Sequence, residues 1–335
     1  MARRLLSHSE VSAALDCQVR HAFSYTGLLT DGDALTPKSV APKLRAGRAW
    51  GRAVAAWHEN HGPQAQEHAI TAMAEALSLD EAEQREHGVF DQDEFDTLNR
   101  HLCDLLADYM ATAEPIPLSR PEHELQVPIP SRTGVRNSTV YQLLCYLDGI
   151  HVDAEGRDWI VEFKLRGQLQ PLELIAKARQ LRWYAWAWRK ETGRPVAGII
   201  SEERLDAVPA EVRLNQNGSL SKVQSCRPDA YVAAGGDDLD VLAKLEAKRW
   251  QQRHPFVLTE RELDEAGKQL ASAGSLIHQL DTGALYPVRN PSPMRCPGCA
   301  YRDVCTDPGD VALVDALFVR DIPKRDREEL ANVAA

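Results

Sequence analysis

Apolar and polar positions alternate with different periods along the chain. Behind the capping box Ser7-x-x-Glu10, Val11, Ala14, Leu15 and Ala22 share one face at helical spacing, which predicts a helix to about Tyr25. A linker rich in Pro, Gly and Lys over Thr30–Lys43 leads to expected helices at Arg45–Asn60, Glu67–Leu79 and Asp93–Thr112, and Pro115, Pro117 and Pro121 close that section. The period then shortens. Glu124–Ile129, Thr139–Asp148 and Trp159–Lys164 are short and rich in β-branched and aromatic residues, which predicts strands, the last two joined as a hairpin through Ala154-Glu155-Gly156-Arg157. A helix is expected from Pro171 to Gly193, its stripe being Leu174, Ala178, Leu181, Ala185 and Trp188. Val196–Ser201 reads as a core strand, Val212–Val223 as a hairpin about Asn217-Gly218, and Asp237–Leu280 as helical. No internal repeat or low-complexity segment interrupts this order.

Length and composition add bounds. The chain has 335 residues, 44% hydrophobic and 26% charged, as a globular protein of one large domain or two modest ones would. Spans 1–115, 116–225 and 226–335 differ in character but are expected to form one compact unit. There is no apolar run long enough for a membrane span, and the first residues lack an apolar signal core, so a cytoplasmic protein is expected. In that compartment thiols stay reduced, and a cysteine cluster suggests metal before disulfide.

A net charge of −10 argues against a nucleic-acid binder, but its distribution is uneven. Lys38, Lys43, Arg45, Arg48 and Arg52 fall between Ala34 and His58 without a carboxylate, whereas Ser78–Asp108 holds ten carboxylates against two arginines. Nucleic acid responds to the local field, so the first stretch is a candidate binding stripe. Two solvated helices of opposite charge describe the same pattern equally well.

The sharpest chemistry is Asp148…Glu162-Phe163-Lys164. Glu162 and Lys164, two apart in a strand, share a face, and Phe163 points to the other. With the hairpin centred on Glu155, Asp148 and Glu162 are each seven residues away and therefore opposed. Opposed Cβ atoms lie roughly 4.5–5.5 Å apart. Two carboxylates that close repel unless a cation such as Mg²⁺ or Mn²⁺ sits between them, and Lys164 would complete a set able to hydrolyse phosphodiesters. A surface hairpin with alternating charges would show the same residues. Here, however, Trp159, Ile160, Val161 and Phe163 bury the strand, where unpaired charge is costly. Gln180 and Tyr184, one helical turn apart, could serve the same site.

Taken in order, Asp148, Glu162-x-Lys164 and Gln180-x-x-x-Tyr184 resemble the signature of RecB-like PD-(D/E)XK nucleases, over a core from about Ala46 to Ser201. The resemblance implies a restriction-endonuclease-like α/β fold, a mixed central sheet flanked by helices. It implies Asp148, Glu162 and the Phe163 backbone carbonyl as metal ligands, Lys164 as catalytic, and Gln180 and Tyr184 as substrate supports. One position departs: the family's Gly-x-x-x-His would begin at Gly51, yet Ala55 stands where the histidine belongs. His58 is the expected substitute ligand, with Glu59 as the alternative.

Cys296-Pro297-Gly298-Cys299-x5-Cys305 adds three thiolates at metal-capturing spacing. Together with Cys17 they are similar to the iron–sulfur members of that family, including CRISPR-associated exonucleases, the AddB nuclease domain and phage exonucleases. That implies one [4Fe–4S] cluster on Cys17, Cys296, Cys299 and Cys305, although zinc satisfies four cysteines as readily. Cys103, Cys145 and Cys226 are expected to be buried apolar thiols. The implied activity is exonucleolytic, on single-stranded DNA or duplex ends, with a recombinase, helicase or CRISPR-adaptation protein as partner. No G-x-x-x-x-G-K-[ST] occurs, so a helicase motor would belong to another chain. A stapled, non-catalytic DNA-binding scaffold and a sequence-specific endonuclease are the alternatives.

Overall fold

The computed structural model describes residues 3–60, 62–134 and 136–323. The chain opens with β1 (Arg4–Ser7), α1 (His8–Asp16), α2 (Gln18–His21), which runs into a π-turn over Ala22–Thr26, and β2 (Ala34–Pro37). Three long helices follow, α3 (Pro42–Glu59), α4 (Ala65–Glu86) and α5 (Gln92–Thr112). The centre is β3 (Leu118–Pro130), β4 (Asn137–Val152), β5 (Asp158–Arg166), α6 (Leu172–Ile175), α7 (Arg179–Thr192) and β6 (Val196–Leu205). The last part holds α8 (Pro228–Ala233), α9 (Leu239–Ala247), β7 (Gln251–Val257), α10 (Glu260–Asp281), α11 (Val311–Leu317) and β8 (Phe318–Asp321).

Six strands form one mixed sheet in the order β1-β4-β5-β6-β7, with β3 on the other side of β4. β1 and β4 are parallel, as are β5 and β6; the remaining pairs are antiparallel. Helices cover both faces. On one, Val11 and Ala14 of α1, the aromatic stripe of α7 and Leu263–Leu280 of α10 pack on Val127, Leu143, Cys145 and Ile160. On the other, Trp50, Ala53, Val54 and Trp57 of α3, with Met73, Leu102 and Tyr109 behind them, pack on Val161 and Phe163. β5 is therefore buried on both sides, which is why Trp159, Ile160 and Val161 read as an unbroken apolar stretch.

The expected elements are present with four differences. Helix α1 stops at Asp16 because Cys17 is extended (φ −161°, ψ 108°). The helix expected from Pro171 is broken: Ala178 is extended (ψ 120°), and α7 begins one residue later. The span Asp237–Leu280, expected to be helical, contains β7, an edge strand of polar composition that tolerates Pro255 because a proline on an edge need not donate to a ladder. The expected hairpin over Val212–Val223 reduces to one bridge, Leu214 to Leu220, about Gly218 (φ +79°). The sheet draws β1 and β7 from the two flanking spans. No helix among the described residues is long and apolar enough to cross a membrane.

The two ends of the chain meet beside this body. β2 pairs antiparallel with β8, and Tyr301 stacks between Phe23 and Phe318 at centroid separations of 5.5 and 5.3 Å. Tyr301 donates its hydroxyl hydrogen to the Leu35 carbonyl at 2.8 Å and accepts one from Ser24 at 2.9 Å.

Close strand approach sets one checkable cost. A Cβ on Gly198 would lie 2.0 Å from the Phe256 carbonyl oxygen, between β6 and β7. Gly198→Ala is expected to destabilise the protein by at least about 1–3 kcal/mol, the usual cost of overpacking, in denaturant unfolding. An unchanged midpoint would show that β7 does not sit against β6.

Candidate active site at a strand fork

The site forms where β4 changes partners. Along one edge of β4, β1 pairs with Tyr141–Leu144 and β5 with Gly149–Val152, and neither pairs with Cys145–Asp148. Extending the register from Gly149↔Val161 makes Asp148 and Glu162 the next opposed pair. There the backbone ladder gives way to a side chain: the Phe163 N–H donates to Asp148 Oδ2 at 2.8 Å.

Glu162 is 1% exposed, and its Oε2 has no hydrogen-bond partner among the described residues. Lys164 forms an ion pair with the other oxygen, Oε1. Burial and then the charge of Glu162 push the Asp148 carboxyl above the ordinary carboxylate range. Burial alone would lower the Lys164 ammonium, but Glu162 and Asp148 outweigh it, so its pKa rises and it stays charged. Helix α7 closes the fork. Gln180 donates to the Tyr184 hydroxyl at 3.0 Å, and Tyr184, 6% exposed, is held protonated by burial and by Glu162. The structure thus brings together five of the residues singled out in the sequence.

His8 and Glu122, which sequence reasoning missed, also border the fork. His8 opens α1 with ring centroids 5.5 Å from Trp183 and 6.2 Å from Tyr184; burial and Lys164 lower its pKa to about 4. Glu122 lies on β3, along the other edge of β4, between the pairs Pro121↔Gly149 and His123↔Leu147, and its charge adds a little to the rise of the Asp148 carboxyl. It has a positive φ of 35° and forms an ion pair with Arg52 of α3. No local pattern in the sequence marks either residue, because both reach the site through strand pairing.

His58 is a correction. Its ring stacks on Phe163 (4.7 Å, 9°), the residue that points away from Glu162, and therefore lies on the opposite face of the sheet. Ile116 N–H donates to Nδ1 at 2.9 Å, and Nε2 meets the Tyr109 hydroxyl at 2.8 Å, while Tyr109 donates onward to Glu202. Both ring nitrogens are engaged in this buried chain, so His58 cannot reach the carboxylates. Glu59 is exposed at the end of α3 and offers no substitute.

The basic stretch is also rearranged. Arg45 is buried against Asp80 and Glu94, Arg48 faces Glu83 at 3.9 Å, and Arg52 holds Glu122. The acidic helices α4 and α5 thus pair with two of these five cations, Arg45 and Arg48.

None of the described cysteines is in a disulfide. Cys17, Cys299 and Cys305 border one apolar cluster built on Phe23, Tyr301 and Val304, and Cys296 Sγ accepts the Ser292 N–H at 3.2 Å. Asn290 and Val288 reach back to Asp16 and Gln18, on either side of Cys17. Three of the four thiols thus share one neighbourhood. Among the described residues, however, no three His, Cys, Asp or Glu side chains converge as a ready-made site, here or at the fork. Cys145 and Cys226 are buried as expected, whereas Cys103 is exposed on α5.

Residues 5–306 match the PD-(D/E)XK nuclease superfamily, and the chain belongs to that family. The mixed sheet flanked by helices is its fold. Among solved structures, it is similar to a provisionally assigned exonuclease from Eubacterium rectale, with 11% identity, a TM-score of 0.49, and coverage of 89% of this chain and 88% of that one. It is also similar to a protein called SSO0001, with 11% identity, a TM-score of 0.33, and coverage of 91% and 87%. No curated protein matches the chain.

The raised Asp148 carboxyl has a consequence for stability. A free Asp titrates near about 3.9; because the native carboxyl holds its proton more tightly, stability declines as pH rises above that value toward neutrality. In EDTA, Asp148→Asn is expected to flatten this part of the pH–stability curve. A slope identical to wild type would remove Asp148 from the buried pair.

Proposed function

We propose that the chain is a metal-dependent DNA exonuclease acting on ends or single strands. The observation that carries the metal-dependent chemistry is the buried Glu162 carboxylate, with one oxygen on Lys164 and the other unpartnered beside Asp148. Asp148 and Glu162 would hold Mg²⁺ or Mn²⁺, with the Phe163 carbonyl on the same strand edge as the N–H that Asp148 accepts. The bound metal would polarise the phosphodiester and lower the pKa of the attacking water. Lys164, charged and anchored, positions that water or balances charge on the phosphate. Gln180 orients the Tyr184 hydroxyl, and Tyr184 remains a donor to a substrate phosphate at neutral pH. The choice of exonuclease rests on the resemblance of the motif order and the cysteine pattern to RecB-like nucleases. The same resemblance supports a [4Fe–4S] cluster on Cys17, Cys296, Cys299 and Cys305, cytoplasmic DNA processing and a recombinase, helicase or CRISPR-adaptation partner. The absence of a histidine at Ala55 favours a second reading, a stapled DNA-binding scaffold without catalysis.

Asp148→Ala, Glu162→Ala and Lys164→Ala are each expected to reduce cleavage of end-labelled DNA by at least about a hundredfold, as loss of a charge-stabilising group does, with folding retained. Linear DNA should be degraded in Mn²⁺ and not in EDTA, while closed circles persist. Cleavage of circles at the rate of linear DNA would favour the endonuclease, and inactivity of wild type with intact DNA binding would favour the scaffold. Protein prepared without oxygen should be brown, with about four irons per chain, and Cys17→Ala should lower both iron content and thermal stability. A colourless protein with one zinc would overturn the iron assignment.

A further inference from the structure

We infer that Arg166, anchored by the buried Glu203, grips the phosphate next to the scissile one as a DNA strand leaves the fork along β5. The inference rests on the nuclease reading above and deepens it by naming a substrate contact.

Arg166 follows Lys164 by two residues on β5, so both leave the sheet on the face that carries Glu162. At about 3.3 Å per residue they start roughly 6.6 Å apart along the strand. In the parallel ladder, Glu203 of β6 is the neighbour of Lys164. Glu203 is 1% exposed and accepts three hydrogen bonds, from Arg166 Nε at 3.0 Å, Gln170 N–H at 2.9 Å and the Gln252 amide at 2.8 Å. Those bonds satisfy a buried charge that would otherwise be costly. They also fix Arg166 and the loop after β5 to each other.

Arg166 itself reaches solvent. Its side chain is 33% exposed, its Nη2 lies 3.4 Å from Gln170 Oε1, and its Nη1 has no hydrogen bond among the described residues. The Nη1 end of the guanidinium is thus left for an anion. A guanidinium presents paired N–H groups that match two oxygens of a phosphate, and one already anchored loses less freedom on binding. Lys164 is 31% exposed, and repulsion from Arg166 works against its raised pKa, so the two charges feel each other. A phosphate backbone laid over both relieves that repulsion. Exposed Lys43 of α3, with its Nζ 3.9 Å from where a Gly167 side chain would begin, extends the row beyond the strand. Cations in line at one opening suit successive phosphates of a single strand.

The test is binding of single-stranded oligonucleotides to the full chain in EDTA, with one neutral methylphosphonate linkage moved along the strand; product lengths in Mn²⁺ locate the scissile linkage. Arg166→Gln is expected to weaken binding by about tenfold, the usual cost of a hydrogen bond to a charged group. One lost contact to a single strand should also reduce the slope of log affinity against log salt by about 0.7. A neutral linkage beside the scissile one should cost wild type a similar factor and cost Arg166→Gln nothing further. Glu203 acts through Arg166, so Glu203→Gln should lose part of that linkage effect, and the double variant no more than Arg166→Gln alone. Mn²⁺ affinity without DNA should stay at the wild-type value in Arg166→Gln. A linkage penalty that persists in Arg166→Gln, or a lowered melting temperature with DNA affinity unchanged, overturns the clamp and leaves the nuclease reading standing. Wild type that neither binds nor cleaves the strand overturns both. If Arg166→Gln does not fold, Arg166→Lys is read in its place, and an undiminished penalty at that linkage overturns the clamp.

Discussion

A carboxylate in the middle of a sheet covered on both faces is the constraint from which the rest of this molecule follows. Glu162 is 1% exposed on a strand whose neighbours Val161 and Phe163 belong to a dry core. Burying a charge there is tolerable only with a partner close by. Lys164 supplies one, two residues along the same face. The fork in β4 supplies the space: because β1 ends at Ser7 and β5 begins to pair at Gly149, four residues of β4 leave an edge open. A continuous ladder would have filled it. The short length of β1, which made it invisible as a strand, is thus what opens the site.

The same logic separates what was legible in the sequence from what was not. The hairpin register could be read because it depends on local turn geometry, and the observed pairing Val152↔Asp158 keeps the centre at Glu155. The opposition of Asp148 and Glu162, and the Gln180–Tyr184 pair on one helix face, followed from periodicity alone. His58 was misplaced for a reason equally physical. Three positions along a helix changes the facing direction little, but helix α3 packs on the side of the sheet that Phe163 faces. Which face a helix covers is a tertiary property, and no local pattern encodes it. Glu122, His8 and β7 were unreadable for the same reason: each is placed by pairing across a large sequence separation.

The joining of the two ends can be assessed in similar terms. A loop of this length costs several kcal/mol of chain entropy to close, growing only logarithmically with its size. Metal–thiolate bonds are one means of offsetting that cost, since the binding free energy becomes folding free energy. Packing between the two ends is another. The β2–β8 pair and the Phe23–Tyr301–Phe318 stack already join the termini, with the Tyr301 hydroxyl satisfied at both its donor and acceptor positions. A shared metal on the cysteines would therefore lock a contact that has its own packing.

The charge pattern changes most between one dimension and three. In the linear chain the basic and acidic stretches look like separate surfaces; folded, Arg45 sits buried between Asp80 and Glu94, and Arg48 faces Glu83. The cations of α3 therefore cannot all attract a phosphate backbone, because their field is spent on neighbours a few ångströms away. Positive charge at the fork itself is a different matter. Lys164 is 31% exposed and stays protonated because two carboxylates hold it there. Lys43, whose Nζ lies 3.9 Å from where a Gly167 side chain would begin, stands beside the loop that leaves β5. An acidic protein can approach an anion in this way when a few cations concentrate at one opening and the excess negative charge is spread over helices that face elsewhere.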